Sequence, residues 1–125
     1  VRSILLFSNE MSAKIYAASD LFLMPSKTEP CGLSQLISMR YGTVPVVHRV
    51  GGLRDTVIPF TGVEGNGFTF ESFQAGDMMD AIYRAVTCFY QSPDEWNQII
   101  KNNLQKDVSW EQSAKKYLDL YHEVV

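Results

Sequence analysis

Apolar residues follow two rhythms along this chain. Uninterrupted runs at Ile4–Phe7, Leu21–Met24 and Val44–Val47 alternate with longer stretches in which apolar side chains recur every three or four positions. A run without polar alternation is what a strand covered on both faces requires, so the three runs predict strands of a parallel sheet, with Pro45 near the entry of the third. Phe68–Phe70 predicts a fourth, shorter strand. Between the runs, Glu10–Ala18 reads as a helix after Ser8 and Asn9, either of which can cap its first turn. Leu33–Tyr41 reads as a second helix, with Leu33, Leu36, Ile37 and Tyr41 as apolar positions and Gly42 placed to stop it.

After Val47 the texture changes. His48–Gly67 holds Gly51, Gly52, Gly62, Gly65 and Gly67 together with Pro59, which predicts mostly loop and a short helical turn around Leu53–Val57. Three helices follow. Ala75–Gln91 carries Met78, Ile82, Ala85, Val86 and Phe89 at helical spacing. The next opens at Ser92, with Pro93 at its first position and Glu95 as capping partner, and carries Trp96, Ile99, Ile100 and Leu104. The last opens at Ser109 with Gln112 as partner and carries Trp110, Ala114, Tyr117, Leu118 and Tyr121, a stripe that most simply faces a core. Strands alternating with helices through short loops predict right-handed βαβ units in an α/β domain of about four parallel strands, ending in a run of helices.

Composition narrows the function classes. At 125 residues, 46% apolar and 20% charged, the chain has the makeup of one globular domain and not of a disordered segment. Its apolar runs fall far short of the ~20 residues a membrane helix needs, and no basic stretch precedes an apolar one as in a secretory signal. A net charge of −3 argues against a dedicated nucleic-acid binder. Cys31 and Cys88 match no metal-ligand spacing and read as a reduced, intracellular pair. The chain starts at Val1 and runs at once into an apolar segment, so we expect a piece of something longer.

In an open α/β sheet, ligands bind beyond the carboxyl ends of the strands, which singles out three loops. The most informative runs from Pro25 to Ser34. Gly32 lets a ligand approach the backbone, and the N–H groups of Gly32, Leu33 and Ser34 stand at the positive end of the following helix, as a phosphate requires. Glu29 is suited to accept hydrogen bonds from sugar hydroxyls attached to such a phosphate. The residues alone leave a second account open, in which Glu29 and Ser34 merely cap the helix. The second loop, His48–Leu53, has two adjacent glycines that permit backbone approach and Arg49 or His48 to meet an anion; Gly-Gly is also ordinary turn chemistry, and His48 reads equally as a satisfied strand-end histidine. In the third loop, Phe7-Ser8-Asn9, Phe7 by itself reads as core, with an aromatic face for a base as the functional alternative.

Three blocks carry a resemblance: Ala18–Leu36, containing Glu-Pro-Cys-Gly-Leu-Ser-Gln-Leu; Tyr-Gly-Thr-Val-Pro-Val-Val at 41–47; and Gly-Gly-Leu-Arg-Asp-Thr-Val at 51–57. With Asn-Gly-Phe-Thr-Phe at 66–70 and Val108–His122, the chain resembles the glycogen and starch synthase family of retaining GT-B glycosyltransferases over nearly its whole length. The resemblance implies a Rossmann-like sheet in a partial C-terminal, nucleotide-sugar-binding domain over residues 1–125, with the helix of 109–125 packing on an N-terminal domain that is not here.

It also implies roles. Glu29 would hold hydroxyls of the donor glucose and stabilise the charge developing at the anomeric carbon. The backbone of Gly32 and Leu33, with Ser34, would bind the diphosphate. Cys31, Gly32, Gly51 and Gly52 would border the donor sugar, and Phe7 would stack on the nucleobase where the family often has Tyr. Ile37 stands where many GT-B relatives carry a second Glu, which fits the glycogen and starch synthase pattern; Val50 stands where Thr is expected before Gly-Gly. The implied donor is ADP-glucose or UDP-glucose and the acceptor an α-1,4-glucan, with no metal and no cofactor, in the bacterial cytoplasm or, for a plant protein, the plastid. The family's acceptor domain and its diphosphate-neutralising Arg and Lys are absent, so the chain alone is expected to be inactive. The alternatives are a free-standing nucleotide- or sugar-binding module and another retaining GT-B enzyme using a UDP-sugar.

Overall fold

A computed structural model describes residues 2–124. Helix α1 (Asn9–Ala18) leads into strand β1 (Leu21–Met24), then α2 (Ser34–Arg40), β2 (Val44–His48), α3 (Gly51–Thr56), β3 (Phe68–Phe70), α4 (Ala75–Gln91), α5 (Pro93–Gln105) and α6 (Trp110–Val124). The strands form a parallel three-stranded sheet in the order β1-β2-β3, with Leu21 opposite Val44 and Val46 opposite Phe68. Proline in a central strand removes a ladder donor. The Val44 N–H donates to Asp20 O on the β1 side. Alternation therefore turns the Pro45 nitrogen towards β3, whose pairing begins only at Val46.

The β2 residues alternate between two cores. Val44 and Val46 face Phe68, Phe70, Ala81, Ala85, Trp96 and Ile99, under α4 and α5. Val47 faces Leu53 and Val57, under α3. All five residues of β2 and all three of β3 are buried, while β1, an edge strand, is only half-covered. Burying a Val, Leu or Phe side chain contributes about 1.5–3 kcal/mol, so β2 is the energetic centre of the molecule.

The α/β class and parallel pairing agree with the sequence pattern, and three of the four expected strands form. The run at Ile4–Phe7 does not. Ile4, Leu5, Leu6 and Phe7 are exposed and irregular. A strand needs a neighbour to take its backbone hydrogen bonds, and among the described residues β1 pairs only with β2. Phe7, read by itself as core, is 90% exposed.

The helix ends also differ instructively. Ser8 caps α1 through the Met11 N–H, and Gly42, at φ +81, follows the C-cap of α2. The expected capping box at Ser92 is absent: its N–H donates to Cys88 O, so Ser92 ends α4 as it begins α5, and its ψ of 64° lies outside the extended conformation of an ordinary N-cap. At α6 the carboxylate of Asp107 takes both the Ser109 N–H (2.9 Å) and the Gln112 amide (2.9 Å), in place of a Ser109–Gln112 box. No α6 residue is buried, so its stripe does not face a core in this chain.

Candidate donor-binding site

The loop between β1 and α2 leaves the carboxyl edge of the sheet at Pro25 and is held by its carbonyl oxygens. His48 Nδ1 lies 2.7 Å from Ser26 O. The Gly52 N–H donates to Glu29 O at 3.0 Å. Gln35 Nε2 donates to Cys31 O at 3.3 Å and Gly32 O at 2.8 Å. Four carbonyls are thus tied by groups from β2, α3 and α2. Each net hydrogen bond contributes only about 0.5–1.5 kcal/mol, but together they fix the loop before any ligand arrives.

Within that loop the polar groups are free. Among the described residues no hydrogen bond or ion pair engages the half-buried Glu29 carboxylate or the Ser34 hydroxyl. Helix α2 starts at Ser34, its N-cap is Leu33, and no side chain caps it. The reading of Glu29 and Ser34 as caps is therefore overturned. The first amides of α2, from Leu33 and Ser34 onward, have no acceptor in the helix and carry its positive end, and the carboxylate of the same loop has no cation among the described residues. Leu33, one of the expected apolar positions of α2, is exposed, as are Ile37 and Tyr41. Gly32 turns the chain at φ +75.

The two glycines of the second loop serve a closer neighbour than a ligand. A Cβ on Gly51 would collide with Glu29 O, and one on Gly52 with Cys31 O. What these glycines admit is the backbone of the first loop, which brings Gly51 and Gly52 beside Glu29 and Cys31. His48 is buried, with its other ring nitrogen 3.2 Å from Glu71 O and its ring stacked on Phe70, and Arg49 pairs with Glu71. His48 thus spans two carbonyls, and the guanidinium of Arg49 is engaged by the Glu71 carboxylate. Cys31 is free and exposed, and Cys88 is free and buried, its thiol pushed up by burial first and by Glu95 second. Phe7 stands apart, at the end of the exposed N-terminal segment. An apolar cavity of about 260 Å³ lined by Pro25, Phe70, Phe73, Gln74, Ala75 and Met78 shares only Pro25 with the loop. Among the described residues no cluster of His, Cys, Asp or Glu is placed to hold a metal ion, and no helix is long and apolar enough to cross a membrane.

Residues 3–107 match the model of the family described as glycosyl transferases group 1. The chain belongs to that family. It is 56% identical over 117 residues to a glycogen synthase of Bacillus licheniformis and 50% identical over 122 residues to one of Clostridium novyi, covering 92% and 95% of this chain but 24% and 25% of theirs. The chain thus spans about a quarter of the length of these curated relatives. Among solved structures, the catalytic domain of starch synthase IV from Arabidopsis thaliana, bound to ADP and acarbose, superposes with a TM-score of 0.89 at 38% identity, over 98% of this chain and 26% of that one. A sucrose-phosphate synthase from Thermosynechococcus elongatus does so at 0.69 and 29% identity, over 94% of this chain and 28% of that one. These neighbours are GT-B glycosyltransferases, and the fold of this group 1 chain is a partial GT-B domain.

One residue that braces this candidate site carries no role in the sequence pattern of this group 1 chain. Gln35 was visible only as part of the Glu-Pro-Cys-Gly-Leu-Ser-Gln-Leu block. The signal was its spacing: it lies one turn from Met39, on the buried face of α2, where a polar side chain needs an internal partner.

Proposed function

We propose that this chain is the donor-binding part of a glycogen or starch synthase. The whole protein transfers glucose from ADP-glucose to the non-reducing 4-hydroxyl of an α-1,4-glucan, with retention. The observation that carries this reading is the braced Glu29–Ser34 loop, which holds both a carboxylate and helix-start amides without side-chain partners among the described residues. Glu29 accepts hydrogen bonds from the donor glucose and opposes the positive charge that grows at the anomeric carbon. The amides of Gly32, Leu33 and Ser34, with the Ser34 hydroxyl, take the diphosphate, whose departure with a growing negative charge the helix dipole favours. Cys31, Gly51 and Gly52 wall the sugar, and Phe7 stacks on the base once the N-terminal segment is packed. Retention follows from attack on the face the diphosphate leaves, the leaving phosphate taking the acceptor proton.

The glucan surface and the cations that neutralise the diphosphate belong to the three quarters of the relatives that lie outside the match. The chain by itself is accordingly inactive, and α6 packs its aromatic stripe on that missing part. We place the whole protein in the bacterial cytoplasm, as its bacterial relatives favour.

The test is glucose incorporation into a glucan primer by the complete polypeptide, with ADP-glucose and UDP-glucose in parallel. Glu29→Ala is expected to lower kcat by about 100- to 1,000-fold, in line with loss of a preorganised electrostatic group, while ADP binding weakens far less. Unchanged turnover removes Glu29 from the mechanism. Preference for UDP-glucose selects another retaining GT-B transferase. Turnover by residues 1–125 alone refutes the division of labour.

A further inference from the structure

We infer that Gln35 is a positioning residue of the proposed donor site, acting through the loop that carries Glu29 and not by touching the donor. This rests on the donor-binding reading above. Gln35 is fully buried at the start of α2. Its amide nitrogen serves Cys31 O and Gly32 O, and also Thr56 Oγ1 at 3.1 Å, whose own hydroxyl donates to Gly52 O at 2.6 Å. A side-chain bridge thus runs Gly32–Gln35–Thr56–Gly52, beside the direct bond from the Gly52 N–H to Glu29 O. The two loops are tied twice, and one tie depends on a single amide group.

The other end of that amide packs closely. Among the described residues Gln35 Oε1 is buried and has no protein hydrogen-bond partner. It occupies the space of a Gly32 Cβ, which would stand 2.5 Å from it, so glycine at 32 and glutamine at 35 fit as a pair. A position selected for stability alone favours an apolar side chain of this volume, because an unpaired buried acceptor destabilises the fold. Replacing the whole amide removes that unpaired acceptor together with the donor, so the two changes offset each other in stability. The amide nitrogen, within reach of two carbonyls of the Glu29 loop and of the Thr56 hydroxyl, is what holds that loop against α3.

The two roles predict different outcomes for Gln35→Met, which keeps the volume and removes both polar ends. In the complete polypeptide, positioning predicts a melting midpoint within about 3 °C of wild type. It also predicts a kcat lowered ~10- to 100-fold with KM for the nucleotide sugar changed less than ~3-fold, as for a displaced reacting group. Hydrogen exchange at the Gly52 amide should quicken, since its acceptor is the loop that has been released. Gln35→Glu keeps the shape but turns the donor into an acceptor, and should lose as much kcat. Wild-type kcat in either variant overturns the inference, as does a kcat loss in Gln35→Met that merely tracks a falling midpoint. If wild type transfers from neither nucleotide sugar, the donor reading fails on its own. Gly52 exchange then decides the role of Gln35: faster in the methionine variant supports it, unchanged overturns it.

Discussion

Strand β2 and helix α6 are both rich in apolar side chains, yet every residue of Val44–His48 is buried and none of Trp110–Val124 is. The difference lies in what surrounds them. β2 has a strand on each side and helices over both faces, whereas Trp110, Tyr117, Leu118, Leu120 and Tyr121 are all exposed on α6. The apolar segment before α1 behaves like α6. A hydrophobic pattern specifies which face wants burial; whether burial happens depends on what else is present. A group 1 chain a quarter the length of its relatives shows both outcomes at once.

The largest test of this contrast is in the packed half. Ile99 is fully buried in the cluster that joins Val46 to α4 and α5. Ile99→Ala should lower unfolding free energy by about 2–5 kcal/mol, the transfer loss plus a cavity that a sheet-anchored site fills poorly. Urea denaturation of residues 1–125 measures it. A loss under ~1 kcal/mol would mean that the packed half is as loose as α6 and that the contrast is false.

Acid sharpens the comparison with a smaller effect. The Ser72 side chain and N–H hold the Asp77 carboxyl below its ordinary 3.8 at the start of α4. The Ser109 N–H first, and the Gln112 amide after it, do the same for Asp107 ahead of α6. A folded-state pKa depressed in this way gives stability that is complete above the unfolded value and lost as pH falls through the folded one. The window therefore opens near pH 3.8 and extends below it. Asp77 anchors a helix in the core, so Asp77→Asn should flatten part of the acid dependence of global unfolding. Asp107 holds a helix that is not packed, so Asp107→Asn should fray α6 in far-ultraviolet dichroism and leave the global acid midpoint where it was. Equal effects on the global midpoint would show that α6 is coupled to the core.

The same division explains how far the residues alone could be read. The strands at Leu21, Val44 and Phe68 and the span Ala75–Gln91 followed from periodicity, because their partners are within the chain. Ile4–Phe7 had the same pattern and no partner. In the proposed site, residue type and position single out Glu29 and the helix-start amides as candidates. The purpose of Gly51 and Gly52 was not, since a glycine that admits a ligand and one that admits a neighbouring loop look alike until the Glu29 and Cys31 carbonyls are seen against them. Gln35 was hidden for a related reason: its partners Cys31, Gly32 and Thr56 meet it only through tertiary contact.

The smallest effect is the most telling about α6. Tyr117→Ala combined with Tyr121→Ala removes two exposed rings from a helix with no buried residue. In residues 1–125 the unfolding free energy should change by no more than about 0.5 kcal/mol, the range of surface substitutions that break no contact. In the complete polypeptide the same pair should be costly. If the stripe packs on the part of the protein beyond this chain, each ring buries there and its loss leaves a cavity, so the pair should cost about 3 kcal/mol or more. A large loss in the short chain would show that α6 packs on its own sheet. A negligible loss in both would leave its aromatic face in water, and the docking of α6 on the rest of the protein would fall.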